Sequence, residues 1–229
     1  MDILYSIVRF FVSGGLFMYP ILVVFAIGFA VAVERYITLT LVTRKNQMVW
    51  KDIQPLLSKG EFDEAHKMTS EGESTIAQVL NMGLSLQGAV RRREDIEIAM
   101  EESMMEIVPR LEKRTPYVAL CSSIATLLGL LGTIMGLIQA FTAVANANPA
   151  EKADLLSVSI SVAMNTTAFG LMVAIPLLVI HAVLTSKTGD IVDSLEMASV
   201  KALNVFSRRV RQLTEGDGTG GDAKAYAEA

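Results

Sequence analysis

The stretch that decides the fold is residues 117–146, YVALCSSIATLLGLLGTIMGLIQAFTAVAN, thirty residues without one Asp, Glu, Lys or Arg. A helix needs about 20 mostly apolar residues to cross a hydrocarbon core of roughly 30 Å. Outward from it, the pattern repeats. Between Tyr117 and Ser186 only Glu151, Lys152 and Asp154 carry charge, although the chain as a whole holds 20 Lys and Arg and 24 Asp and Glu. A second apolar run covers 155–186, and a third, nearer the N-terminus, covers 16–35. The composition agrees: 52% of the 229 residues are hydrophobic and 19% are charged, against about 25% charged in an ordinary soluble domain. The expected fold class is therefore an all-α membrane protein with three transmembrane helices.

Flanking segments complete the layout. Ile3, Leu4, Ile7, Val8, Phe10 and Phe11 recur at helical spacing, so residues 1–15 are expected to form an amphipathic helix lying at the membrane interface, broken at Ser13-Gly14-Gly15. With no basic region ahead of the first apolar run, that run reads as a membrane anchor and not as a cleaved leader. Pro20 falls in its first turn, where the missing N–H costs nothing. Basic residues set the orientation. Residues 36–116 hold eleven Lys and Arg, and six follow Ser186, whereas the link 146–154 holds only Lys152 and the N-terminal segment only Arg9. This places the N-terminus and the 146–154 link on the outer side of the membrane. The 36–116 helical domain and the C-terminus are then cytoplasmic.

The second and third apolar runs exceed what a bilayer requires, so part of each helix must protrude or line something wet. Residues 93–114 are rich in helix formers and are expected to continue the second span, 117–145, as one long helix. The third span is expected to extend as a helix over 187–213, followed by a disordered tail, 214–229, of small and polar residues. Met100, Met104 and Met105 suit the core of a helical bundle. Glu97, Glu101 and Glu102 could pair with Arg110, Lys113 and Arg114 between subunits or stay solvated. Arg91-Arg92-Arg93 reads as a solvated helix start or a contact for lipid headgroups. Pro176 should kink the third span, and His181 suits its interfacial end.

At 100° per residue, Ser122, Ala125, Thr126, Gly129, Gly132, Thr133, Gly136, Ala140 and Ala143 share one face of the second span. Ser159, Ala163, Thr166, Thr167, Gly170 and Ala174 share one face of the third, while Ser157, Ser161 and Asn165 lie on another. Small residues at helix contacts are common in membranes, and Gly132-x-x-x-Gly136 alone is a generic packing pattern. Two adjacent hydroxyl-bearing stripes carry a further reading: both face a central element, either a pore or a helix of another subunit. Neither span holds an acidic or basic residue in its interior, and a proton relay needs a titratable group within the membrane. An ion path here requires a carboxylate brought by a partner. The candidate path residues are Thr126, Thr133, Ser159, Asn165, Thr166 and Thr167. Gly129, Gly132, Gly136, Ala140, Ala163, Gly170 and Pro176 are the candidate packing and partner-contact positions.

Two runs resemble a known family. Gly129-Leu130-Leu131-Gly132-Thr133-Ile134-Met135-Gly136, followed by Phe141, is similar to the GLxGTVxGxxxxF signature of the MotA/TolQ/ExbB proton-channel family. Asn165-Thr166-Thr167-Ala168-Phe169-Gly170-Leu171, with Ala174-Ile175-Pro176, resembles that family's ATAxGLxxAIP. Met18-Tyr19-Pro20-Ile21 and Glu34-Arg35, with three spans in place of the four of MotA-type stators, resemble the ExbB/TolQ branch. The resemblance implies a pentameric ring whose second and third spans line a pore. Inside it would sit two single-span ExbD/TolR-like subunits whose membrane Asp carries the proton. The motor would pass work to a TonB-like protein, and Thr133 and Thr167 map to the family's two pore threonines. Two positions depart from the pattern: Val162 stands where ExbB and TolQ carry Glu, and Thr126 where they carry Pro. Sodium is the alternative coupling ion, since hard cations prefer oxygen ligands such as these hydroxyls. A non-conducting scaffold for single-span partners is the other alternative. No nucleophile–base set points to an enzyme. One Cys and two distant His exclude a Cys cluster and a multi-His site within the chain, and no cofactor is expected.

Overall fold

The computed structural model describes residues 14–87 and 93–225, with side chains through Arg208. Residues 1–13, which carry the expected interfacial helix, lie outside the described residues, as do Arg91 and Arg92. Six helices form: α1 Met18–Lys59, α2 Phe62–Ser70, α3 Thr75–Leu86, α4 Arg93–Glu112, α5 Thr115–Asn146 and α6 Lys152–Ala225. Three helical stretches, Met18–Lys59, Arg93–Asn146 and Lys152–Arg208, are long and apolar enough to cross a membrane. The chain divides into two compact units. One takes the described residues up to Ile37 with Lys113–Ser186; the other takes Thr38–Glu112 with the residues from Lys187 onward.

The first unit packs the beginning of α1 against α5 and the first half of α6. Met18, Ile21 and Ala32 of α1 are buried with Val118, Cys121 and Ala125 of α5 and Val173, Leu177 and Leu184 of α6. Gly28 permits the close approach of α1: a Cβ there would lie 2.9 Å from Cys121 Cβ and 3.1 Å from Leu177 Cδ1. Near its start, Phe17 reaches Gly132 of α5. From that level α5 runs on to Asn146 and α6 runs back to Lys152, fourteen residues in each case, or about 21 Å at 1.5 Å per residue. The excess length of the two apolar runs therefore lies at the hairpin end. At the opposite end, Arg114 forms an ion pair with Glu34 at 3.3 Å.

The second unit contains the lower part of α1, the short helices and α4, with the continuation of α6. Leu39, Asn46 and Ile53 recur every seven residues along α1 and are buried, followed by Leu57. That spacing holds one face inward as the helix continues. Asn46 supplies part of the α3 N-terminus from another helix: its Oδ1 accepts from the Ile76 N–H at 3.3 Å, and its Nδ2 donates to Thr75 Oγ1 at 2.7 Å. The α3 N-cap, Ser74, accepts from the Ala77 N–H at 3.2 Å, which satisfies a donor the helix leaves orphaned. Phe62 of α2 and Phe206 of α6 meet edge to face with centroids 5.5 Å apart.

Three expectations need adjustment. The segment 93–114 does not continue the second span unbroken, because a two-residue turn at Lys113-Arg114 separates α4 from α5. Arg114 is left-handed, with φ +71°, and Pro116 sits in the first turn of α5. Proline has no N–H for the preceding carbonyls and disfavours helical geometry at the residue before it. The backbone of α6, in contrast, runs past Leu213 to Ala225; the glycines of that tail give no physical account of a helix there. Of the three methionines assigned to the bundle core, Met100 is fully buried while Met105 is exposed, since five residues further along the helix turns the side chain about 140° away. Within α4, Arg93 pairs with Glu97 and Arg110 with Glu106.

Candidate functional site

The two small-residue faces meet each other within the chain. A Cβ on Gly129 would lie 3.3 Å from the Cα atoms of Gly170 and Thr167, and one on Gly136 would lie 2.7 Å from Ala163 Cβ. On Gly170 it would lie 2.7 Å from the Ala125 carbonyl oxygen and 3.0 Å from Gly129 Cα. Backbone meets backbone along this seam, and a side chain would hold the helices apart. The expectation that both whole stripes face a central element is thereby corrected. Their glycine and alanine positions are spent on the α5–α6 contact, because without a hydrophobic driving force in lipid, close backbone packing is what holds helices together. Ser122 strengthens the seam, donating to the Ala174 carbonyl at 2.8 Å.

The hydroxyls separate into distinct groups. Thr133 and Thr167 are half-buried at one edge of the seam, their Oγ1 atoms hydrogen-bonded to each other. Both also reach the Gly129 carbonyl, at 3.1 Å from Thr133 and 2.8 Å from Thr167. Each hydroxyl has one proton, so one donates to that carbonyl while the other donates to its neighbour. Thr126 lies two turns from Thr133 on the same edge. It is exposed, and its hydroxyl donates to the Ser122 carbonyl at 3.1 Å.

Thr166 is elsewhere. It is 2% exposed and donates to the Gly14 carbonyl at 2.6 Å, where the chain enters α1. Its methyl group closes over Gly132. Asn165 is half-buried and, two residues before Thr167, points about 160° away from it around the helix. Ser159 is half-buried two turns earlier. Val162 faces the turn before α1; a Cβ on Gly15 would meet its Cγ1 at 3.2 Å. Ala140 is buried, and Pro176 is exposed on the far side of α6, which passes it without a break. Thus the structure brings together Thr133, Thr167 and Gly129, with Thr126 on the same edge, and it does not bring Thr166 or Asn165 to them. Sequence reasoning missed the Thr166–Gly14 clamp. The two residues are 152 positions apart, and the only trace of the clamp is the Gly14-Gly15 pair, which reads equally as a helix break.

Neither α5 nor the part of α6 between Asp154 and Lys187 contains an Asp, Glu, Lys or Arg. Among the described residues, no group of three or more His, Cys, Asp or Glu could hold a metal ion. What the edge offers is a pair of oriented hydroxyls beside one carbonyl, with no acid or base of its own.

The fold and this edge define a class, an all-helical protein with three helices long and apolar enough to cross a membrane and hydroxyls at the seam of the second and third. By sequence, the chain belongs to the MotA/TolQ/ExbB proton channel family, whose model matches residues 71–197, more than half of its length. It is 27% identical over 194 residues to an ExbB homolog of biopolymer transport from Methanothermobacter thermautotrophicus, covering 84% of this chain and 67% of that one. An ExbB-like biopolymer transport protein of Synechocystis sp. is 27% identical over 176 residues, 76% of this chain and 82% of its own. The Tol-Pal system protein TolQ of Haemophilus influenzae is 36% identical over 78 residues, 34% of each chain.

Proposed function

We propose that this chain is the multi-copy, pore-forming subunit of an ion-driven motor in the inner membrane, assembled around single-span partners. The observation that carries the reading is the Thr133–Thr167 hydroxyl pair at the Gly129 carbonyl, in two spans that have no titratable acid or base beside it. Hydroxyls can hydrate and orient a cation but cannot store a proton at neutral pH, so an acidic side chain must come from outside the chain. An ExbD/TolR-like single-span subunit with one membrane Asp fits that requirement. In the proposed assembly five copies form a ring and a partner dimer occupies its centre. Thr126, Thr133 and Thr167 face the partner, while Gly129, Gly132, Gly136 and Gly170 keep each α5–α6 pair rigid. The proton-motive force supplies about 2.3 kcal/mol per charge per 100 mV, and the ring converts it to relative motion. The work is delivered across the periplasm, for example through a TonB-like protein. The proposed role is transport, with no enzymatic step.

Flux in liposomes tests this. The chain co-purified with its partner should pass protons, and Thr133→Val or Thr167→Val should abolish the flux while the complex stays intact. Flux that survives both substitutions would sink the reading. An assembled complex with no flux would favour a scaffold, and flux that stops in sodium-free buffer would identify sodium as the ion.

A further inference from the structure

A second feature lies in the other unit, where α1 and the continuation of α6 enclose an open pocket of about 290 Å³. Trp50, Leu57 and Val205 give it an apolar floor, Gln54 and Asn204 give it two amides, and Lys201 and Arg208 give it two cations. Among the described residues, no carboxylate lines it. Lys201 lies over the Trp50 ring, its Nζ 5.8 Å from the centroid. Arg93 stands at the rim, donating to Asn204 Oδ1 at 3.4 Å.

In a chain whose formal charge is −4, a pocket with positive groups at two points and no acid is a local reversal of sign. The sequence around it keeps the reversal intact. Positions three and four residues either side of Lys201 are Met197, Ala198, Asn204 and Val205, and those around Trp50 are Asn46, Gln47, Ile53 and Gln54. None is acidic, nor are Arg211 and Gln212 beyond Arg208, so α6 offers neither cation an acidic i,i+4 partner. Lys201 and Arg208 lie on one face of α6, seven residues and about 10 Å apart. Two long side chains at that separation can converge on one phosphate, and a bare inorganic ion held there would leave the apolar floor empty. The volume falls at the small end of ligand pockets, and an indole face beside amides and cations is a surface on which a planar ring stacks while a phosphate is bound by charge-assisted hydrogen bonds.

We propose that this pocket binds a small organic anion that joins a planar ring to a phosphate, a nucleoside monophosphate in size and chemistry. The ring lies against Trp50, with Gln54 and Asn204 at its edge, and the phosphate is taken by Lys201 and Arg208. The site is independent of the ion path proposed above. It gives the helical unit that follows the first span a means of responding to a soluble metabolite.

Trp50 is the only tryptophan in the chain, so its fluorescence reports the pocket directly. The full-length protein in detergent or nanodiscs is titrated with adenosine monophosphate, inorganic phosphate and inorganic pyrophosphate. Expected is a saturable change with adenosine monophosphate that neither inorganic ion reproduces. It should be weakened about tenfold or more by Lys201→Gln or Arg208→Gln and unaffected by Lys51→Gln, an exposed lysine of α1 outside the lining. All three positions are exposed, so the variants fold. The proposal is overturned by no saturable change up to millimolar nucleotide, or by equal responses to nucleotide and pyrophosphate. It is also overturned by equal weakening in Lys51→Gln, or by a response to an acidic peptide and not to the nucleotide.

Discussion

Asn46 and Thr166 show what single polar side chains do in this protein. Asn46 is 3% exposed and holds the first turn of α3 through Thr75 and the Ile76 N–H. Its loss leaves the buried Ile76 N–H and the half-buried Thr75 hydroxyl without this partner, and an unpaired buried donor costs roughly 1–3 kcal/mol. Asn46→Ala should therefore lower the unfolding midpoint in detergent clearly, and an unchanged midpoint would refute the argument. Thr166 and its neighbour Thr167 should separate stability from transport. Thr166→Val orphans the Gly14 carbonyl and should lower thermal stability. Thr167→Val leaves the Gly129 carbonyl with Thr133 and should change stability little while stopping flux. If the two variants behaved alike in both assays, the division between anchor and path would be wrong. Sequence alone placed both threonines on one stripe, because a helical wheel resolves 100° but knows nothing of what each side of the stripe meets.

At the scale of elements, glycine does opposite things in one helix. Gly170 faces the Ala125 carbonyl and Gly129, and overpacking of this kind costs about 1–3 kcal/mol. Gly189 has nothing within 4 Å of where its Cβ would be, so there glycine only weakens the helix, by about 1 kcal/mol relative to alanine. Gly170→Ala should lower the thermal midpoint and Gly189→Ala should raise it; shifts of the same sign would contradict the packing described. The apolar runs were legible as spans because twenty uncharged residues have few alternatives. The break between α4 and α5 was less so. Pro116 is tolerated in a first helical turn, so its presence alone does not announce that the helix starts there. The left-handed conformation of Arg114, next to its ion pair with Glu34, is a feature of the folded chain.

Taken as a whole, the molecule leaves large side chains such as Leu127, Phe141 and Met172 more than half exposed. Exposed apolar surface of this extent marks contact with lipid or with other chains. Native mass spectrometry of the protein released from detergent should show five copies of the 24.8 kDa chain with a smaller partner. A monomer or dimer as the only species would remove the ring from the proposal. The proposed nucleotide pocket is likewise a property of the whole chain, since Trp50 and Lys201 are 151 residues apart in sequence and lie on different helices.

The three apolar helices, the two stripes of small residues and the family motifs can all be read along the chain without coordinates. Each follows from local composition: uncharged length, helical period and short motifs are all written along one segment at a time. Only the tertiary structure decided which stripe residues are consumed in the α5–α6 seam, that Thr166 clamps Gly14 while Thr133 and Thr167 share the Gly129 carbonyl, and that Trp50 meets Lys201. These depend on how far apart the backbones stand and how each helix is turned against its neighbour, and those distances are set by contacts between residues far apart along the chain.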